Sequence, residues 1–160
     1  MAETDPNAGI SQAVYGLLAV GSVADDGSKD VMTANWGTQV SFEPRLYAIA
    51  VQSDSHTASN IKATGVFSIN FMPGGTHDLA IKFASHSTSG EGRLEGEGAT
   101  THKTGTPLLD SAVGWVECNV VDTQQPGDHT VFFGEVVGGN VGPTTGEPTT
   151  LAAVDLSYAG

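Results

Sequence analysis

VGWVECNVV (113–121) and TVFFGEVV (130–137), joined by DTQQPGDH (122–129), decide the fold class of this chain. Both flanks are rich in Val and Phe, and the Pro126-Gly127-Asp128 centre between them is a turn signal. The pattern predicts a long antiparallel hairpin. Upstream, LYAIAV (46–51) is apolar on both alternating faces, the mark of a strand buried on both sides. VFSINF (66–71) reads as another strand. AVYGLLAVGS (13–22) runs into the turn cluster Asp25-Asp26-Gly27-Ser28, a strand entering a hairpin. LAAVDLSY (151–158) is expected to supply a closing strand.

Two short helices interrupt the strands. Gln52 to Thr57 is a polar loop feeding Ala58, Ile61 and Ala63 at helical spacing, closed by Gly65. Pro73-Gly74-Gly75-Thr76 caps a second helix carrying Leu79, Ala80 and Phe83. From His86 to Thr106 the chain is Gly/Ser/Thr-rich, with no apolar period. Such an excursion usually covers a site or reaches a partner subunit. With 21 glycines suited to tight turns and bulges, the expected architecture is mainly β, a barrel with two or three short helices. It forms one domain over 1–160, its core at about 13–158.

Composition narrows the function. The formal charge is −12, with six Lys and Arg residues in all, so there is no basic face to neutralise nucleic-acid phosphates or anionic headgroups. Neither nucleic acid nor membrane is expected as a partner. An acidic, lysine-poor surface fits life in high salt as well as an ordinary cytoplasm. The single cysteine, Cys118, excludes an internal disulfide and multi-cysteine metal sites. The polar, acidic start Met1-Ala2-Glu3-Thr4-Asp5-Pro6 lacks the pattern of a secretory signal, and a cytoplasmic location is expected.

No Ser/His/Asp order, HExxH or P-loop is present. Histidines 56, 77, 86, 102 and 129 lack metal-ligand spacing, so no metal is expected. Two segments are more telling. At 52–57, Ser53, Ser55 and Thr57 converge on a helix N-terminus, which suits a phosphate; plain capping by Asp54 or Ser55 explains the same residues. MTANWGTQVS (32–41) is polar and small around one tryptophan. Either something flat lies there, or it is an edge strand whose Trp36 packs in the core with its N–H satisfied.

In chain order, these pieces resemble the flavin reductase-like, FMN-binding split-barrel family. The matching text begins with Tyr15-Gly16-Leu17, Thr33-Ala34-Asn35-Trp36, Gln39-Val40-Ser41 and Pro44. It continues through Ser55, Thr57 and Ile61, Gly65 to Asn70, Leu79 to Phe83 and Glu117-Cys118. It ends with Gly127-Asp128-His129 leading into Phe133-Gly134-Glu135-Val136.

The resemblance implies a Greek-key-like split barrel binding FMN without a covalent link. Thr33, Ala34, Asn35 and Trp36, with Gln39 and Ser41, would line the isoalloxazine ring. Ser53, Ser55, His56 and Thr57 would hold the phosphate. Phe83 and Ala84 would touch the other side of the flavin, and Gly127, Asp128 and His129 would seat the nicotinamide nucleotide. Arg45 and Arg93 read first as ordinary surface residues, though either could add a charge to the phosphate. A homodimer is implied. Because hydride transfer is the cofactor's chemistry, no side-chain acid or base is required. The function implied is NAD(P)H-dependent flavin reduction with onward electron transfer. A flavoredoxin-like carrier reduced by a redox protein partner is the alternative, favoured by the acidic charge as Gly127-Asp128-His129 favours the reductase, and a barrel binding another ligand, or none, is a third.

Overall fold

The computed structural model describes residues 4–85 and 91–158. In chain order the elements are α1 (Pro6–Ile10), β1 (Leu18–Val23), β2 (Lys29–Ala34), β3 (Gly37–Ser41), β4 (Leu46–Gln52), α2 (His56–Thr64) and β5 (Val66–Phe71). Then follow α3 (His77–Ala84), α4 (Glu91–Leu94), β6 (Ala99–Thr100), β7 (Leu108–Leu109), β8 (Gly114–Gln124), β9 (His129–Val141) and a 3-10 turn at Ala152–Val154.

Seven strands form one antiparallel sheet in the order β2-β1-β5-β8-β9-β4-β3. The edge strands β2 and β3 are consecutive in the chain, with only Asn35 and Trp36 between them. So short a link holds the two edges close together. The sheet therefore curls into a barrel whose seam opens at Asn35-Trp36, and the Trp36 carbonyl accepts from the Ala50 N–H on β4 at 2.9 Å.

Side-chain alternation separates two cores. Leu18 and Val20 of β1 point into the barrel with Ile49, Val51, Phe67, Ile69 and Phe132. Leu17, Ala19 and Val31 point outward, where Met72, Ala80, Phe83, Leu109 and Leu151 cover them. The period of two thus buries β1 on both faces. Helix α2 starts at Ser55, whose side chain accepts from Ala58 N–H at 3.1 Å, and stops at Gly65, left-handed at φ +70°. Such a stop suits glycine, which bears no Cβ penalty there.

The polar stretch between α3 and β8 is pinned from within the sheet. Asn70, fully buried on β5, accepts from Leu109 N–H at 2.8 Å and donates to the carbonyls of Ala19 and Pro107. Glu117 on β8 is also fully buried. Its carboxylate accepts from Thr104 N–H and hydroxyl, each at 2.8 Å, from Lys103 N–H at 3.2 Å and from His102 Nδ1 at 2.9 Å. Burial pushes this carboxyl up, but the bonds from Thr104, His102 and Lys103 outweigh it and hold it below the usual glutamate value.

Several expectations are corrected. Residues 151–158 form no strand: Leu151 and Val154 bury on one side at a spacing of three, and left-handed Asp155 (φ 58°) turns the chain out of the 3-10 turn. The predicted strand at 13–22 begins only at Leu18. The run 32–41 is two edge strands rather than one, broken at Asn35-Trp36. The excursion at 86–106 holds α4 and β6, with β6 pairing to β7; positions 86–90, His86 among them, lie outside the described residues. Four α-helices are present among the described residues rather than two or three. The hairpin stands as expected but longer, its strands reaching Gln124 and Val141.

Candidate functional site

A cleft of about 650 Å³ opens at the barrel seam, between the β2–β3 link, the start of α2, the end of α3 and residues 151–158. Its size falls within the range of small-molecule and cofactor sites. Thr33, Ala34, Asn35, Trp36, Ser55, His56, Thr57, Phe83, Ala84 and His129 all line it, so the sheet's curl gathers ten of the fifteen sequence-predicted residues.

At one end lies the N-terminus of α2. Ser55 is its cap, so Asp54 is not. Capping engages only an acceptor lone pair of the Ser55 hydroxyl and leaves its hydrogen available to a ligand. Thr57 is buried, and its hydroxyl donates to Asp30 Oδ2 at 3.1 Å. That hydrogen is unavailable to a phosphate, which leaves the backbone N–H groups of the first turn.

Beneath this end sits a buried ion pair. Asp30 is 1% exposed, and its carboxylate accepts from Arg93 Nη2 at 2.8 Å, from Thr57 and from Val31 N–H at 2.7 Å. Arg93 also donates to the Phe83 carbonyl at 3.2 Å, fixing the end of α3. Its Nε is buried without a partner among the described residues. Arg93 is thus a wall residue of the cleft rather than a surface charge. As one of two arginines, set in a polar acidic stretch, it carried a weak signal in the sequence.

At the other end three aromatic rings meet. The Trp36 and His129 centroids lie 4.7 Å apart, and Trp36 and Tyr158 5.2 Å apart, both pairs tilted. His129 Nδ1 bonds the exposed Asp128 carboxylate at 2.7 Å, and Nε2 meets the Tyr158 hydroxyl at 3.2 Å. The hydrogen bond from His129, with its nearby charge, holds the Asp128 carboxyl below its ordinary value. Trp36 Nε1 is buried without a partner among the described residues, where the core-packing reading with a satisfied N–H does not hold.

The other five predicted residues do not line the cleft. Gln39 and Ser41 lie on edge strand β3, where Gln39 Nε2 donates to the Ser41 carbonyl at 3.1 Å. Ser53 supports the 127–129 turn: its N–H donates to Asp128 O at 3.0 Å and its hydroxyl meets Thr130 Oγ1 at 2.9 Å. Gly127 and Asp128 place His129 while standing outside the cleft themselves. Thr33 lines the cleft, but its hydroxyl ties β2 to α3 through the Ala80 carbonyl at 2.6 Å. Sequence reasoning missed Leu151, Leu156, Ser157 and Tyr158, which read as a strand. Tyr158 closes that largely apolar run and carries no local sign of the cleft. Among the histidines, His77 meets Val154 O and His102 meets Glu117, so neither belongs to the cleft.

A family model described as "Flavin reductase like domain" matches residues 11–159. The chain is 33% identical over 108 residues to the NADH-dependent FAD reductase of Streptomyces globisporus, covering 66% of this chain and 59% of that protein. It is 29% identical over 119 residues to diflavin flavoprotein A 1 of Synechocystis sp., covering 74% of this chain. The chain spans only about a fifth (21%) of that flavoprotein's length. Among solved structures, an NADH:FAD oxidoreductase of Streptomyces globisporus C-1027 superposes with a TM-score of 0.78 at 27% identity, covering 89% of each chain. The chain belongs to the flavin reductase like domain family.

Proposed function

We propose that this chain is an NAD(P)H-dependent flavin reductase that binds FMN without a covalent link and supplies electrons onward. The observation that carries this reading is the convergence of the 33–36 segment, the start of α2, Phe83-Ala84 and His129 on one cleft. The cleft suits a flavin nucleotide on two further counts. Trp36 Nε1 and Arg93 Nε are buried polar atoms without partners among the described residues, the condition a bound polar ring edge or anion would relieve. The α2 N-terminus also presents the first-turn N–H groups of His56 and Thr57 at one end, Ala58 N–H being taken by the Ser55 cap.

Ser55 and the first-turn N–H groups of α2 would hold the phosphate, with Arg93 behind them. Asn35 and Trp36 would orient the ring at the seam. The bound flavin supplies the hydride-accepting chemistry. Leu151, Leu156 and Trp36 would keep water from the inner cleft, and His129 would seat the nicotinamide against the ring. No side chain has to move a proton for this transfer. The relative named as an NADH-dependent FAD reductase, and the related structure solved with NAD and FAD fragments, support a nicotinamide donor.

Titration with FMN, FAD and riboflavin, followed by quenching of flavin fluorescence, tests the flavin assignment. FMN should bind at least about tenfold more tightly than riboflavin, the worth of one set of charge-assisted bonds to phosphate. Equal affinity would remove the phosphate from α2.

A carrier reduced by a protein partner is the second reading. Its support is the net charge of −12, which would steer a basic partner. A homodimer is also proposed. Phe42 and Val14 are more than four-fifths exposed, and a groove of about 490 Å³ lined by Ile10, Val14 and Trp36 adjoins the cleft. Light scattering that returned a monomer's mass would contradict it.

A further inference from the structure

We infer that Tyr158 is a positioning residue that fixes the tilt of the His129 ring through its Nε2; its use in seating the nicotinamide rests on the reductase reading above. His129 has a partner on each ring nitrogen: the Asp128 carboxylate 2.7 Å from Nδ1 and the Tyr158 hydroxyl 3.2 Å from Nε2. A carboxylate can only accept, so Nδ1 carries the hydrogen. In the neutral ring Nε2 is then an acceptor, and the phenol O–H is the donor that meets it. Asp128 thus specifies the tautomer, Nδ1–H, and the Tyr158 hydroxyl engages the lone pair this leaves on Nε2.

The partners are unequal. Asp128 is almost wholly exposed, and an ion pair or hydrogen bond in that setting holds weakly. The His129 side chain is only 15% exposed and lies against the Trp36 ring, so the bond on its inner nitrogen decides how the imidazole is set. Tyr158 is itself placed by the fold. Thr149 and Leu151 are tied to the barrel by the bonds Thr149 N–H to Met72 O (2.9 Å) and Leu151 N–H to Tyr15 O (3.0 Å). Left-handed Asp155 then turns the chain over the cleft. Asn35 Nδ2 lies 3.4 Å from the Tyr158 carbonyl, and the phenol ring rests against Trp36. The ring is pinned at its backbone, face and hydroxyl, all aimed at one imidazole.

The test compares the protein with its Tyr158→Phe variant, which keeps the ring and removes the hydroxyl at a half-exposed position. Long-range proton–nitrogen spectra of the nitrogen-15-labelled protein without ligand, at about pH 8.5 where an ordinary histidine is neutral, read the His129 tautomer directly. Both proteins should show Nδ1–H, and in the variant the Nε2 resonance should move toward that of a ring nitrogen without a hydrogen bond. Calorimetry with NAD+ on the FMN-loaded proteins should give a dissociation constant about three- to tenfold higher in the variant, the loss of one hydrogen bond's net effect. The FMN constant should stay within about twofold. An unchanged His129 spectrum in the variant overturns the proposal. NAD+ binding equally to both proteins overturns the role in seating the nicotinamide while leaving the reductase reading intact. NAD+ binding to neither, with no bleaching by NADH, overturns that reading and with it the use assigned to Tyr158.

Discussion

Arg93 Nη2 stands 2.8 Å from Asp30 Oδ2, bridging 63 positions of sequence to join α4 of the Gly-rich stretch to edge strand β2 beneath the cleft. Both groups are almost wholly buried. Two desolvated charges of this kind depend on each other, because removing one leaves the other uncompensated in a medium that solvates it poorly.

Arg93→Met should therefore destabilise the fold by about 3–5 kcal/mol, the usual cost of stranding a buried charge. The double variant Asp30→Asn/Arg93→Met should lose clearly less than the sum of the two single changes. Urea denaturation of the four proteins checks this, and additive losses would show that the pair is not coupled.

Glu117 makes stability depend on pH with a definite sign. Its folded carboxyl titrates below the ordinary value of 4.5, so its stabilisation is fully present above that value and is lost as pH falls through the lower folded value. Glu117→Gln should cost about 1–3 kcal/mol at neutral pH, because Thr104 and Lys103 lose a charged acceptor. The gap between parent and variant should narrow on acidification below about pH 4.5. A constant gap down to about pH 3 would contradict the assignment.

Gly134, opposite Tyr47 on β4 and Val120 on β8, is required by space. A Cβ there would lie 2.5 Å from the Cys118 Cβ and 2.6 Å from the Phe67 ring. Gly134→Ala should destabilise by about 1–3 kcal/mol or more through overpacking, read as a lowered denaturation midpoint with little change in slope. A neutral substitution would mean that the barrel interior is looser than its packing indicates.

The barrel was legible because its strands alternate between two cores: Leu18 and Val20 face one, Leu17 and Ala19 the other. A period of two with dense Val, Ile and Phe has few other solutions. The cleft was legible where its residues lie on one local run, as at 33–36 and 55–57. It was not legible where side chains meet across the chain. Nothing local in Arg93 shows that it turns inward to Asp30. The apolar run Leu151 to Val154 reads as a strand until Leu17 and Met72 provide the one surface that Leu151 and Val154 share at a spacing of three. The hydroxyl of Thr57 reads as a phosphate donor until Asp30, 27 positions earlier, claims it.

Ser55 and Thr57 should accordingly behave differently. Ser55→Ala removes the cap of α2, costing about 1 kcal/mol of stability, and should weaken FMN more than riboflavin. Thr57→Val removes a bond to Asp30, with a similar loss of stability, and should leave the preference for FMN over riboflavin nearly unchanged. Paired flavin titrations decide it. A loss of preference confined to Thr57→Val would move the phosphate onto that hydroxyl.

The most direct test of the central claim is the anaerobic visible spectrum of the protein with added FMN, before and after one equivalent of NADH or NADPH. Perturbed bands of bound flavin that bleach within seconds are the result a reductase gives. Bands that persist with either nucleotide, and bleach only when a reduced protein donor is supplied, would contradict it and leave the cleft to an electron carrier.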